Sequence, residues 1–273
     1  MSAAVLQDRR LVRVAGVGAR AFLQGLVTCD MDKVSEAAAA YGALLSPQGK
    51  ILFDFFVAPK ADEEFWLDVP AALAADFTKR LGFYRLRAKI VIEAVNLEVM
   101  SVWVRWNGAT APAGALMSFA DPRDAGLGMR NYMNAASHEN RAAYDAHRIK
   151  LGVPEGGADF AYGETFPHEA NLDRLNGVDF NKGCYVGQEV VSRVEHRGTA
   201  RKRIVRVTFE GEAPARGAAV TAGDLALGVM GSSTAAGMGL AMLRLDKVEE
   251  ALAKGIVLHA GAVAVHVKDQ MSE

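Results

Sequence analysis

The sequence predicts an α+β fold whose C-terminal part is a small β-barrel or sandwich. Two observations predict it. Up to about residue 200, segments with apolar residues at helical spacing interleave with short strand-like runs. After Arg201 the runs are all strand-like, short and separated by turn residues, as in a small barrel or sandwich. A chain of 273 residues with 51% hydrophobic and 23% charged residues can bury a substantial core, in one large domain or two to three small ones.

Taken in order, Ala19 to Val27 places Phe22, Leu23, Leu26 and Val27 on one helical face. A hairpin follows, from Ala40 to Leu45 and Ile51 to Val57, reversed by Ser46-Pro47-Gln48-Gly49. Glu64 to Val69 reads as a strand. Ala71 to Leu81 carries Leu73, Phe77 and Leu81 at helical spacing. Ile90 to Val95, Leu97 to Val104 and Ala115 to Phe119 are strand-like. A helix from Glu139 to Lys150 takes Ser137 as its N-cap and ends at Gly152, with Pro154 beyond. Gly156 to Gly198 is mainly loop with short helices. The remaining strands are Ile204 to Phe209, Ala218 to Val220, Leu225 to Val229, Gly239 to Leu245 and Ile256 to Val267. A body over 1–200 and a barrel over 201–273 is the expected division.

Composition narrows the function. The net charge of −1 gives no chain-wide case for a nucleic acid or membrane partner. Cys29 and Cys184 are the only cysteines, too few for a disulfide framework or for the four ligands a cubane cluster takes from one chain. The histidines show no metal-ligand spacing, so no resident metal is expected. The N-terminal residues are interrupted by charge, and no apolar run is long enough to span a bilayer. Together with the cysteine count this reads as a cytoplasmic protein.

The most informative stretch is Asn181-Lys182-Gly183-Cys184-Tyr185-Val186-Gly187-Gln188-Glu189. A cysteine between glycines is either an exposed thiol, biased to thiolate by Lys182, or a small residue in a tight turn. The string resembles the signature of the YgfZ family, folate-binding iron–sulfur cluster assembly proteins related to the glycine-cleavage aminomethyltransferase. Similar segments are Phe22-Leu23-Gln24-Gly25 with Thr28 and Asp30, then Leu45 to Lys50, then Asn171-Leu172-Asp173. The resemblance implies a two-lobed antiparallel body of aminomethyltransferase type with a C-terminal β-barrel, around a central folate channel. It implies a function in assembly or repair of 4Fe–4S clusters with Cys184 as the working thiol, tetrahydrofolate as cofactor, and iron–sulfur client and assembly proteins as partners. The alternative is a folate-dependent aminomethyltransferase-like enzyme.

Asp54 lies between Leu52 and Phe56 on one strand face, so it is either satisfied by an arginine such as Arg85 or Arg87 or kept for a ligand. The similar transferase strand carries paired aspartates. Here Phe53 replaces the first, which puts transfer chemistry in doubt and leaves room for ligand binding. Glu169 sits in Thr165-x-Pro-x-Glu-x-x-Leu, which resembles the folate-anchoring stretch of the transferases and implies a carboxylate on the pterin N–H groups. Tyr185 and Arg193 are further candidates for that site. The basic run from Arg193 to Arg206 either meets an anion, such as a folate polyglutamate tail, or is a solvated strand edge. Trp66, Trp103 and Trp106 are read as core.

Overall fold

The structure is a computed structural model that describes residues 2–36, 38–103, 110–136, 140–198 and 200–268. The expected N-cap Ser137, the strand end at Val104, and Trp106 lie outside those residues. The chain divides into two compact units, Met1–Tyr144 with Leu172–Val190, and Asp145–Asn171 with Val191–Glu273.

The first unit begins with β1 (Ser2–Val5), β2 (Arg9–Ala15) and α1 (Ala19–Gln24). The hairpin β3 (Ala40–Leu45) and β4 (Ile51–Ala61) follows, then β5 (Glu64–Pro70), α2 (Ala74–Arg85) and β6 (Val91–Val95). It closes with β7 (Glu98–Trp103), β8 (Ala115–Ala120) and β9 (Met129–Met133). One sheet runs β3-β4-β5-β2-β6 and the other β1-β7-β9-β8, and every pairing is antiparallel. Strand β2 went unread in the sequence because its alternation carries arginines rather than polar, uncharged residues.

Strand periodicity sorts the side chains of the five-stranded sheet into two layers. Val12, Val14, Phe53, Phe55, Val57, Phe65 and Leu67 pack with Leu23 of α1 and with Phe77 and Leu81 of α2. Phe53 and Phe55 both meet the Phe77 ring, at 5.2 and 5.3 Å between centroids. The opposite face meets the four-stranded sheet, with Phe56 on Phe119 and Trp66 on Tyr132. That second layer also holds buried charge. Asp68 on β5 accepts from the Nε of Arg9 on β2 at 2.7 Å and from Arg130 on β9. Arg123 grips Asp121 through both oxygens, at 3.0 and 2.8 Å. The guanidiniums of Arg130 and Arg123 lie 3.9 and 4.7 Å from the centroid of the Phe56 ring.

The second unit contains a closed six-stranded barrel, ordered β10 (Lys202–Phe209), β13 (Met238–Arg244), β12 (Leu225–Ser233), β11 (Ala219–Ala222), β14 (Leu258–Ala260) and β15 (Val263–Lys268). Its core includes Val205, Val207, Leu227, Met230, Leu243 and Leu258. One expectation needs correction: Leu245–Ala253 is a helix, α5, which buries Val248 and Ala251 against the barrel. Two helices cross the division between the units in sequence, α3 (Arg141–Leu151) and α4 (Gln188–Arg197). Within the second unit, Arg148 of α3 bonds Asp159 at 2.7 Å and the Ser232 hydroxyl on β12 at 2.8 Å.

Burial alone would push the Asp68 carboxyl up, but the Arg130 and Arg9 charges outweigh it and hold it below the ordinary value. Its contribution to stability is therefore complete above the unfolded carboxyl value of about 3.9 and is lost as pH falls through the lower folded value. Asp68→Ala removes the carboxylate that two buried guanidiniums share, leaving Arg130 with the more distant Asp121 at 4.0 Å, and is expected to cost about 3–5 kcal/mol in urea unfolding at neutral pH. The deficit of the variant relative to the parent should shrink in the same measurement below about pH 4.

Candidate functional site

The site is built where three stretches of the first unit meet: the exit of α1, the β3–β4 turn, and the loop of residues 177–187. Helix α1 has six residues and stops at Gly25. A helix this short leaves most of its carbonyls without helical partners. Lys182 caps the last of them and two more carbonyls on the chain beyond the helix. Its ammonium donates to the carbonyl oxygens of Gln24, Val27 and Cys29 at 2.8, 2.6 and 2.8 Å. An ammonium has three N–H donors, and all three are used. Burial lowers the Lys182 pKa, and the aligned carbonyls offset the loss of water. The same charge stands 5.2 Å from the centroid of the Tyr185 ring.

Further bonds fasten the loop. The Thr28 hydroxyl donates to Gly177 O at 2.6 Å and accepts from Ala43 N at 2.8 Å. Asp179 N returns a bond to Thr28 O at 2.9 Å, and the Asp179 carboxylate pairs with Lys33. Gln24 braces the other side by bonding Asp30 and Met31 N. At the far end Gly187 has φ +82°, and an added Cβ would come 2.5 Å from Ser46 O and 3.1 Å from the Cα of Gly49. Gly49, at φ +79°, is closed in turn by Val190. The signature glycine thus packs on the backbone of the turn, which a side chain at Gly187 would prevent, whereas a Cβ on Gly49 would press on the Val190 side chain.

Between these anchors the loop alternates. Lys182 and Tyr185 are buried, whereas Gly183 and Cys184 are exposed. The thiol is therefore held out to solvent by two inward-pointing neighbours. Lys182, expected to bias Cys184 toward thiolate, instead spends its donors on carbonyls and acts by positioning the loop. Cys29 has the opposite setting: it is buried, and burial pushes its thiol up to about 12 despite Lys182.

The other predicted residues separate. Asp54 lies in the layer between the two sheets, 4% exposed, and accepts from the Tyr41 hydroxyl at 2.9 Å. The expected arginine partners are not those used, since Arg85 donates to Ile90 O and Arg87 is exposed. Tyr185 is buried, with its hydroxyl pushed up to about 12 by burial. Glu169 belongs to the second unit, is half-buried, and accepts from Phe166 N at 2.9 Å, a local bond that fixes its carboxylate. Arg193 is exposed on α4. Sequence reasoning missed Arg9, Arg123 and Arg130; for Arg9 and Arg130 the available signal was an arginine at an inward strand position, as for Arg9 opposite Pro70, whereas Arg123 lies in the turn between β8 and β9.

This fold and site define an aminomethyltransferase-type body joined to a β-barrel and carrying an exposed thiol. Residues 7–104 match the GCVT N-terminal domain, and residues 201–272 match the C-terminal beta-barrel domain of CAF17. The crystal structure of glycine cleavage system aminomethyltransferase T from Bartonella henselae superposes with a TM-score of 0.75 at 15% identity, over 98% of this chain and 85% of that one. At that identity the likeness establishes the fold. The mitochondrial iron–sulfur cluster assembly factor IBA57 of Mus musculus is 33% identical over 281 residues, 89% of this chain and 78% of its own. Its Neurospora crassa homologue is 32% identical over 77% of this chain and 54% of its own, and that of Pyricularia oryzae is 34% identical over 73% and 55%. The chain belongs to the family of IBA57-type iron–sulfur cluster assembly factors. It spans little more than half the length of these two fungal relatives. The cytoplasmic expectation is overturned, because these relatives are named as mitochondrial and point to the mitochondrion instead.

The two thiols give a direct check on the site. In the folded protein, iodoacetamide is expected to modify Cys184 and leave Cys29 intact, with Cys29 reacting only after unfolding. Mass spectrometry of the labelled peptides measures it, and labelling of native Cys29 at the rate of Cys184 would contradict the geometry.

Proposed function

We propose that this protein supports assembly or repair of 4Fe–4S clusters in client proteins through the Cys184 thiol. The observation that carries the reading is an exposed cysteine on a loop fixed by Lys182, Thr28 and Gly187. A single thiol supplies one of the four ligands that a cluster takes, so the remaining ligands come from a partner or client. The form of a cysteine that ligates iron is the thiolate. A fixed loop suits this task, because an exposed sulfur that is already positioned loses little freedom when it is captured. The mitochondrial relatives support the same work in the mitochondrial setting. Kinship with the YgfZ type, carried by the signature around Cys184, is part of the same proposal.

Tetrahydrofolate is the proposed ligand, and Glu169 is the residue that fits it. Its carboxylate is oriented by Phe166 N and retains acceptor capacity for the paired N–H groups of a pterin. Arg193 offers a cation for the carboxylates of the folate tail. Asp54 does not fit as an anchor, because it is closed to solvent and committed to Tyr41. The transferase alternative needs a carboxylate at the reacting folate, and Asp54 is the aspartate that remains on that strand.

In a strain deleted for the gene, the parent sequence is expected to restore 4Fe–4S enzyme activity. Cys184→Ser is expected to fail while keeping the parent's thermal unfolding, and Cys29→Ser to complement. Complementation by Cys184→Ser would remove the thiol from the function.

Calorimetry tests the ligand separately. Glu169→Ala should weaken tetrahydrofolate binding by at least about tenfold, since one charge-assisted hydrogen bond is worth about 1.5–3 kcal/mol and tenfold is about 1.4. Glu169→Gln keeps the acceptor for Phe166 N but sets an amide donor against the pterin, so it should also weaken binding. Unchanged affinity in both variants would take Glu169 out of the site.

A further inference from the structure

We propose that the outer face of α2, with the connector that follows it, is a docking site for an anionic lipid surface. Helix α2 buries Phe77 and Leu81 in the core of the first unit. Its outer face is not the polar surface that such an amphipathic helix normally presents. Phe83 is 63% exposed, and Leu86, at the C-terminal end, is 86% exposed. Val17 is equally exposed, and it follows Gly16, whose backbone lies against Lys89 and Ile90. The Arg85 guanidinium bonds Ile90 O, which fixes the connector to the end of the helix. Leu86 holds a strained backbone, φ 46° and ψ −111°, which keeps its side chain turned out to water.

Charge surrounds these apolar side chains. Lys79, Arg80, Arg85, Arg87 and Lys89 follow one another with no carboxylate from Phe77 to Ile92. All five are exposed, and Lys79, Arg80, Arg87 and Lys89 form no ion pair among the described residues. One carboxylate, the exposed Asp76, stands a turn before Lys79 and Arg80 on α2, so the stretch from Asp76 to Ile92 carries five cations against one anion, while Glu64 and Glu93 are held by Arg13. The net charge of −1 averages this cluster away, which is why composition gave no case for a membrane partner.

The occupant follows from shape and chemistry. Side chains this exposed project from the surface rather than line a groove. Three of them fall far short of the roughly 20–30 residues that each side of a stable protein interface supplies. A bilayer interface needs much less: a few Phe or Leu side chains entering the headgroup region beneath a ring of Lys and Arg on anionic lipid.

The test uses the full chain and vesicles of phosphatidylcholine, with or without phosphatidylglycerol. Co-sedimentation with the anionic vesicles at low salt, release at high salt, and no binding to the neutral ones are expected. Each cation at an anionic surface contributes about fivefold in affinity, so Lys79→Gln with Arg80→Gln should weaken binding about 25-fold. Phe83→Ser with Leu86→Ser should also weaken it, while keeping the salt dependence of whatever binding remains. Thermal unfolding of both variants should match the parent, because the substituted side chains are exposed. Failure to bind anionic vesicles, or parent-like binding by both variants, would overturn the proposal. Binding to soluble polyglutamate as tight as to the vesicles would overturn it too, and would assign the face to an acidic protein.

Discussion

Removing an ammonium from water is costly unless every proton finds an acceptor, and Lys182 meets that condition with three backbone carbonyls. Those carbonyls belong to the chain as it leaves α1, so the requirement of one buried charge joins two segments distant in sequence. The geometry of the thiol depends on that joint. With Lys182 drawn inward and Tyr185 beneath its charge, the intervening Gly183 and Cys184 have only solvent to face. Thr28, Asp179 and Lys33 add bonds to the same joint, so the segment around position 28 and the loop around 180 hold each other in place.

The two sheets of the first unit are joined by different means. One face of the five-stranded sheet packs on α1 and α2 through aliphatic and aromatic side chains. The other meets its partner sheet through aromatic rings with guanidiniums over them and aspartates between them. Buried ion pairs contribute less net stability than hydrophobic packing of equal volume, but they tolerate little misalignment. Asp54 and Tyr41 lie in this same layer. The aspartate that the sequence marks as a ligand candidate therefore holds a place in the packing between sheets.

Much of this was legible in the residues. Ser46-Pro47-Gln48-Gly49 marks a reversal, and the structure closes it with Gly49 N on Ser46 O. The strands after Arg201 announce a barrel because each is short and bounded by turns. The contrast between an apolar Cys29 and a loop Cys184 could also be read. What was illegible shares one cause: the partner is far away or is backbone. Carbonyl oxygens leave no trace in a sequence, so Lys182 reads as a neighbour of Cys184 when its contacts lie at Gln24 to Cys29. Arg9 looks solvated until Asp68 and Arg130 are brought beside it. Helix α5 goes unread between the strand-like runs that end at Leu245 and begin at Ile256, because everything adjacent in that domain is β.

The contact between Gly49 and Gly187 has a consequence for how this chain can vary. A methyl group on Gly187 would run into the backbone of the turn, and one on Gly49 would run into Val190, three residues beyond Gly187. A change at one is felt at the other, although they stand in separate stretches of the sequence. The hairpin turn and the cysteine loop are therefore one heritable unit. Any lineage that remodels the turn must either move the thiol or rebuild the loop that carries it.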